Sequence, residues 1–364
     1  MSELSDFSIN TSSGSYQVLI RKGLLGQHIA SEQAVWLVDE TVSKLYEQLL
    51  PKVHLQQHAI ESKKSLDSVA LVIEQMRDFG ATRQSQLVAV GGGIVQDIAT
   101  FSASCYMRGI AWTYCPTTLL SMVDSCIGGK SSINVGPYKN IAGNFFPPQR
   151  VIIDPQFCET LSEEQVCEGL CEAVKICYAE SDATFQSYLS LVKAASHPLT
   201  VEQLANIVRL SLQTKKKFIE VDEFDQGVRL LLNFGHTFGH AIEGASNYTI
   251  SHGNAVGLGM LAARYFSTQL GLCPKVLPVA DILNLHIREL LGKINTIESS
   301  LYSMRAEDAM QRFQSDKKHT KDAYNLILFD GHGRLQRVTL EKSDLVQAQI
   351  FNTFKHLIEN YNEI

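Results

Sequence analysis

Three histidines in the segment Asn233–Gly253, NFGHTFGHAIEGASNYTISHG, have a spacing that could hold a metal ion. His236 and His240 are four residues apart, so on a helix they share a face. His252 follows after a short polar loop. Two imidazoles one helical turn apart, with a third within reach, are raw material for a divalent metal centre. Gly235 and Gly239 each precede a helical histidine. Glycine is a poor helix former, so its presence here predicts the close approach of a ligand or of another backbone.

Cations recur near these groups although the chain carries a formal net charge of −6. In the segment after Ser162, Glu168, Glu172 and Lys175 lie on a face beside the apolar stripe Val166, Leu170, Val174 and Cys177. Taken alone, Glu172 and Lys175 read as an exposed ion pair of little energetic weight. The segment KKKFIEVDEFDQGVR, from Lys215 to Arg229, reads alone as a solvated helix end. What favours a site is convergence: Arg108, Lys130, Lys139, Lys175, Lys215, Arg229 and Lys317 all stand beside glycine loops or histidines. A phosphorylated, anionic substrate held near a divalent metal would use such a set.

A second kind of chemistry is written around residue 90. The apolar run Gln86–Val90 leads into Gly91, Gly92 and Gly93 and then into a helical pattern that carries Asp97. A strand, a glycine turn and a helix N-terminus form a cradle of backbone N–H groups for a pyrophosphate. The usual GxGxxG fingerprint is absent, so a merely structural turn is the competing reading. After the run Ala111–Pro116 comes a polar loop with Thr117, Thr118, Asp124, Ser125, Lys130, Lys139 and Asn140. Charged groups among small apolar neighbours call for partners or a ligand.

The elements that must position these residues follow from periodicity. Ala34–Asp39, Gln86–Val90, Ala111–Pro116 and Val151–Asp154 read as buried strands, and Ser65–Gly80 as an amphipathic helix. Strands alternating with helices imply a parallel α/β sheet. Beyond Ser162 the pattern is helical, over Glu163–Tyr178, Val201–Glu220, Leu232–Ala245 and Asn254–Leu270, with a late hairpin at NLILFDGHGRLQRVTL. The expectation is a boundary near Asp154, with a Rossmann-like α/β domain over 1–154 and an all-α domain over 155–364. The Ser-rich first dozen residues are expected to fray. At 45% hydrophobic and 19% charged, the 364-residue chain can bury a substantial core. It shows no basic field for nucleic acid or an anionic membrane and no run long enough to span a bilayer, and its first residues are not expected to act as a secretory leader. Its eight cysteines read as reduced cytoplasmic thiols, Cys167 and Cys171 as buried ones rather than a metal pair.

The pieces GGGIVQD, YMRG, PTTLLSMVDSCIGGK, KNIAGNFFPPQ, EGLCEAVK, DEFDQGVRLLLNFGHTFGHAIE, SHGNAVGLGM and SDKK, in this order from about Asp39 to about Lys318, resemble 3-dehydroquinate synthase within the sugar phosphate cyclase group. The resemblance implies a homodimer with an NAD-binding α/β domain and a helical metal domain. It implies Zn²⁺ (or Co²⁺) on Glu172, His236 and His252, and NAD⁺ at Gly91, Gly92 and Gly93. Around the NAD⁺ would stand Asp39, Glu61, Lys64, Asp97, Thr117, Thr118 and Leu120, with Asp124, Ser125, Lys130, Lys139 and Asn140. The substrate phosphate would meet Lys130, Asn140, Asn233, His240 and Lys317, with Arg108 supplied by the partner subunit. The carboxylate and ring hydroxyls would meet Asp124, Lys175, Lys215, Asp225 and Arg229. By this resemblance His240 turns to substrate although its spacing suits a ligand. The implied reaction cyclises 3-deoxy-D-arabino-heptulosonate 7-phosphate to 3-dehydroquinate with loss of phosphate, in the shikimate route to aromatic amino acids, and regenerates NAD⁺ each turnover.

The chain departs from the family pattern in four places. Gln96 stands where GGGxxGD has glycine, Asp225 where glutamate is usual, Asn254 where HGE has glutamate, and NVGPYKN replaces NHPxGKN. These changes support an alternative: a cyclase acting on an amino analogue or a cyclitol precursor. Lys215 and Arg229 argue for a carboxylated substrate, because relatives that cyclise neutral sugar phosphates tend to lose cations at those positions. A metal-dependent polyol dehydrogenase is a further alternative that would have no use for the phosphate cations, and a non-catalytic homologue would have no reason to keep the metal ligands.

Overall fold

The computed structural model describes residues 6–25, 34–136, 138–193 and 198–361. The first part of the chain contains strands β1 (Phe7–Thr11), β2 (Gly14–Ile20), β3 (Ala34–Asp39), β4 (Leu55–Gln57), β5 (Gln86–Gly91), β6 (Ala111–Pro116), β7 (Ile133–Val135), β8 (Tyr138–Ala142) and β9 (Arg150–Ile153). Helices α1 (Glu40–Leu45), α2 (Leu66–Asp78) and α3 (Gly93–Cys105) are set among them. Next come α4 (Glu163–Glu180), α5 (Asp182–Lys193), α6 (Val201–Val221), α7 (His236–Ala245), α8 (His252–Gln269), α9 (Pro278–Leu291), α10 (Thr296–Ser303) and α11 (Ala306–Gln314). Hairpin β10 (Ala323–Phe329) and β11 (Leu335–Glu341) and helix α12 (Asp344–Glu359) complete the order.

The chain forms two compact units, Met1–Leu161 with Leu191–Phe224, and Ser162–Ser190 with Asp225–Ile364. This differs from a single cut at Asp154. The division comes after Leu161, and α6, which by sequence belongs with the helical part, returns to the first unit. Its apolar stripe of Leu204, Ile207, Leu212 and Ile219 is buried, and α6 packs on β1 and on the segments 121–125 and 155–160.

The first unit holds a seven-stranded sheet in the order β1-β2-β9-β6-β5-β3-β4. Only β1 runs antiparallel to its neighbour. The central strands are apolar runs because both faces are covered. From β4 to β9 the order is the 2-1-3-4-5 arrangement of doubly wound folds, with its switch point between β3 and β5. Asp39 ends β3 and Gly91 ends β5, so both stand where such sheets take ligands.

The frayed N-terminus expected from the Ser-rich start is instead the β1–β2 hairpin from Phe7 onward; residues 1–5 lie outside the described residues. The hairpin is fixed by contacts distant in sequence. β2 pairs with β9, Asn10 N donates to Glu220 Oε1 at 2.9 Å, and Ser12 N donates to Glu223 Oε2 at 2.7 Å.

In the second unit α7 and α8 touch backbone to backbone. A Cβ on Gly259 would stand 2.0 Å from Gly235 O, and one on Gly239 would stand 2.9 Å from Ala255 O. α7 starts at His236 rather than at Leu232, because Gly235 at φ +76° is left-handed and ends the preceding 3₁₀ turn, Val228–Asn233. β10 and β11 pair as the expected hairpin, and Asp330 Oδ1 accepts from His332 N and Arg334 N in its turn. All eight cysteines are free thiols, and Cys167 and Cys171 are buried. Among the described residues no helix is long and apolar enough to cross a membrane.

Candidate functional site

The candidate metal site begins on α4, whose N-terminus is closed by a capping box between Ser162 and Gln165. The helix is buried along most of its length, and the side chains of Glu172 and Lys175 are each only 2% exposed. The reading of these two as a surface ion pair is therefore corrected. Helix α8 lies over them through Gly253, whose Cβ would meet Glu168 O at 2.3 Å. Glu172 Oε2 pairs with the Lys175 ammonium. Its other oxygen, Oε1, lies 3.6 Å from His236 Nε2 and 3.6 Å from His252 Nε2. Ligands about 2.1 Å from a tetrahedral ion stand roughly 3.4 Å apart, so the spacing fits one.

The outer contacts orient the same atoms. His236 Nδ1 meets Phe234 O at 3.2 Å, and His252 Nδ1 meets Glu243 Oε2 at 3.2 Å. Each ring thus holds the protein through Nδ1 and turns Nε2 toward Glu172, the arrangement found around metal-bound histidines. Burial, with the nearby Lys175 charge, pushes His236 well below the usual histidine range, which keeps it a neutral donor. For His252 burial acts downward, but the Glu243 hydrogen bond and charge, with Glu172 and Glu168, prevail and raise it to about 9. A metal arriving there displaces a proton.

His240 completes a group of three imidazoles whose ligand atoms lie within 4.8 Å of one another. Its Nδ1 is 3.3 Å from Asp316 Oδ2 and 3.4 Å from Lys318 Nζ. With Nδ1–H donating to Asp316, Nε2 offers a lone pair as a metal ligand does. With Nδ1 accepting from Lys318, Nε2 carries the proton and donates, as a phosphate contact requires. Burial lowers the His240 pKa, against the Asp316 hydrogen bond. Burial would raise Asp316, but its bonds to His240 and Lys318 hold it far below the usual carboxylate range. Glu243, Asp316 and Lys318 were not singled out by sequence. Glu243 follows His236 by seven residues on the same helical face, a signal that was available.

The other predicted residues of this unit are dispersed around the turn before α7. Arg229 is 3% exposed within the 3₁₀ turn, Asn233 donates to Leu230 O at 3.1 Å, and Asp225 adopts φ +58°. Lys317 adjoins Lys318, which is the lysine that reaches His240.

In the first unit, five residues expected at the cofactor gather in one cluster. Lys64 Nζ donates to Asn140 Oδ1 at 2.8 Å and pairs with Asp97 Oδ2 at 3.2 Å and Glu61 Oε1 at 3.7 Å. Lys139 Nζ is 3.5 Å from the same Glu61 oxygen. Asp97 also accepts from Ser132 N at 3.0 Å, and burial raises its pKa despite Lys64. Asp39 caps α1, with Oδ1 accepting from Thr41 N at 2.7 Å and Val42 N at 3.2 Å. The three glycines differ. A Cβ on Gly91 would strike Val95 at 2.5 Å and one on Gly92 would reach Thr118 at 3.0 Å, while at Gly93 nothing lies within 4 Å. Open space over a helix N-terminus at the switch point fits an anionic group of a dinucleotide.

Thr117 N donates to Gly91 O at 3.1 Å, and Thr118 bonds Ser121 at 2.8 Å. Leu120 then leads into a π-turn, Ser121–Ser125, closed by Cys126 N to Ser121 O at 3.1 Å. Its later carbonyls are held by side chains. Ser211 takes Val123 O at 2.9 Å, Lys215 takes Asp124 O at 2.6 Å and Ile127 O at 3.2 Å, and Gln96 takes Ser125 O at 2.7 Å. Lys215 also pairs with the Asp124 carboxylate. Lys130 extends over the Phe145 ring, 5.8 Å from its centre. Arg108, at φ +67°, borders a cavity of about 310 Å³ with Trp112, Phe146 and Gln149.

Residues 54–168 match the 3-dehydroquinate synthase N-terminal family, and residues 169–319 match the 3-dehydroquinate synthase C-terminal family. A 3-dehydroquinate synthase of Alkaliphilus metalliredigens (strain QYMF) is 34% identical over 355 residues, covering 93% of this chain and 96% of that protein. The chain belongs to the 3-dehydroquinate synthase family. Solved structures with the same fold include 2-epi-5-epi-valiolone synthase from Streptomyces hygroscopicus subsp. jinggangensis 5008 with NAD⁺ and Zn²⁺ bound, at TM-score 0.79 and 25% identity, covering 94% of this chain and 97% of that one. A 2-deoxy-scyllo-inosose synthase complexed with carbaglucose-6-phosphate, NAD⁺ and Co²⁺ aligns at TM-score 0.78 and 22% identity, over 95% and 99% of the two chains. The fold expected from the sequence, a Rossmann-like parallel sheet followed by a helical part, is the fold of these 3-dehydroquinate synthase-like proteins.

Proposed function

We propose that this chain cyclises 3-deoxy-D-arabino-heptulosonate 7-phosphate to 3-dehydroquinate with release of phosphate. The observation that carries this reading is the donor set of Glu172 Oε1, His236 Nε2 and His252 Nε2, spaced for one ion and oriented from behind by Glu243 and Phe234 O. Glu172, His236 and His252 hold Zn²⁺ or Co²⁺, and Gly91, Gly92 and Gly93 with the Lys64 cluster hold NAD⁺. When bound, the metal would supply a Lewis acid for a substrate hydroxyl and NAD⁺ a reversible hydride acceptor.

The protein's own groups do the rest. Lys175 balances the buried Glu172 carboxylate. Asp316 and Lys318 set which nitrogen of His240 carries its proton. Arg229, with Lys215, meets the substrate carboxylate, and Lys130, Asn140, Asn233, His240 and Lys317 meet the phosphate. The enzyme works as a homodimer in the cytoplasm, with Arg108 of each subunit completing the other's phosphate site.

A related cyclase acting on a sugar phosphate that lacks a carboxylate would offer no such group for Arg229, which is 3% exposed, to meet. The test incubates the protein with the phospho-keto acid, NAD⁺ and Zn²⁺ and follows phosphate and product mass. Stoichiometric phosphate with no accumulated NADH is expected. Net NADH would identify a dehydrogenase instead, and no phosphate release would reject the proposal. In the same assay Arg229→Leu is expected to raise KM for the acid more than tenfold; an unchanged KM would remove the carboxylate role.

A further inference from the structure

Gln96 occupies a position where the family pattern has glycine, and the residue is 4% exposed. It lies in the first turn of α3, its N–H donating to Gly92 O at 3.1 Å, directly behind the glycine turn. Both ends of its amide engage one residue of the π-turn. Nε2 donates to Ser125 O at 2.7 Å, and Oε1 accepts from Ser125 Oγ at 2.7 Å. The pairing fixes the amide's orientation, because a carbonyl can only accept and the hydroxyl is here the donor. It also commits the Ser125 hydroxyl proton, so that Ser125 meets any ligand as an acceptor.

A π-turn does not continue into regular helix, so its last carbonyls need outside partners. Two of those partners, Ser211 and Lys215, come from α6, and Gln96 is the one that comes from α3. We propose that Gln96 is a positioning residue that ties the glycine-turn helix to the π-turn, so that the cofactor cradle and Asp124 keep one fixed spacing. This rests on the NAD⁺ site assigned above. Glycine at 96 leaves the Ser125 carbonyl without its donor, and glutamate sets an acceptor against an acceptor.

The test uses the full-length protein with Gln96→Gly, Gln96→Glu, Ser125→Ala and the Gln96→Gly/Ser125→Ala double variant. Two readouts are taken: amide hydrogen exchange across residues 121–128 without ligand, and NAD⁺ affinity by calorimetry. Both Gln96 variants should exchange at least about tenfold faster in that segment and bind NAD⁺ at least about fivefold more weakly. The double variant should add little to Gln96→Gly, because the two residues act as a unit. Unchanged exchange in the Gln96 variants overturns the tie. Faster exchange with NAD⁺ affinity within twofold of the parent overturns the positioning role and leaves a structural one. If the parent protein itself fails to bind NAD⁺, the functional reading falls, while the exchange arm still decides the tie.

Discussion

The metal centre of the second unit and the glycine-turn site of the first are built in opposite ways. At the proposed metal site, side chains would do the binding, and main chain brings them together: α7 and α8 meet at glycines, so the rings of His236, His240 and His252 come within 5.4–5.6 Å of one another. At the glycine turn, main chain would do the binding, and side chains brace it: Lys64, Asp97 and Ser132 tie the loop after β6 to α3, and Gln96, Ser211 and Lys215 brace the π-turn. The contrast shows that the same residue type carries different meaning in the two sites. Gly259 is required by a neighbouring backbone, whereas Gly93 faces open space.

The comparison predicts a graded series of effects. The largest belongs to Glu172→Gln, which removes a proposed ligand and the carboxylate paired with the buried Lys175. Zinc content should fall to a small fraction of one equivalent and stability by about 3–5 kcal/mol, on the scale of a broken buried pair. Elemental analysis and thermal unfolding measure the two, and full zinc occupancy would reject Glu172 as a ligand. Next is Gly259→Ala, whose methyl group would stand 2.0 Å from Gly235 O. It should cost about 1–3 kcal/mol by overpacking and weaken metal binding together with stability. The paired control is Gly93→Ala, which should leave stability within about 1 kcal/mol and weaken NAD⁺ alone. If calorimetry found the two variants interchangeable, the contrast would be wrong. Smaller again is Glu243→Gln, expected to weaken metal binding by roughly 10–100-fold with NAD⁺ affinity untouched. A chelator competition assay reads it, and an unaltered metal affinity would show that Glu243 does not orient His252.

Legibility in the sequence follows the same divide. The pair His236 and His240 is visible because helical spacing is local, and β3, β5 and β6 are visible because strands covered on both faces are unbroken apolar runs. Glu172 is not visible by spacing. Its face of α4 looks solvated until α8 lies over it, and only the family resemblance singled it out. The β1–β2 hairpin escaped because Ser12 and Asn10 find their partners on Glu223 and Glu220, some two hundred residues away. The return of α6 to the first unit escaped for a similar reason, since its apolar stripe does not say which surface it covers. Asp39 is a plain strand end in sequence and gains its meaning from strand order, which places it at the switch point.

Backbone contact between α7 and α8 also bears on which ions the centre accepts. Ligands on long, mobile side chains can spread to suit a larger ion, but imidazoles on helices already touching have little travel. α8 is also packed against α4, α9 and α12, so it has no room to back away. The main chain therefore acts as a gauge. Such a centre would suit small ions with bonds near 2.1 Å and would disfavour Ca²⁺, which takes six to eight oxygens at about 2.3–2.6 Å, by size as well as by donor type.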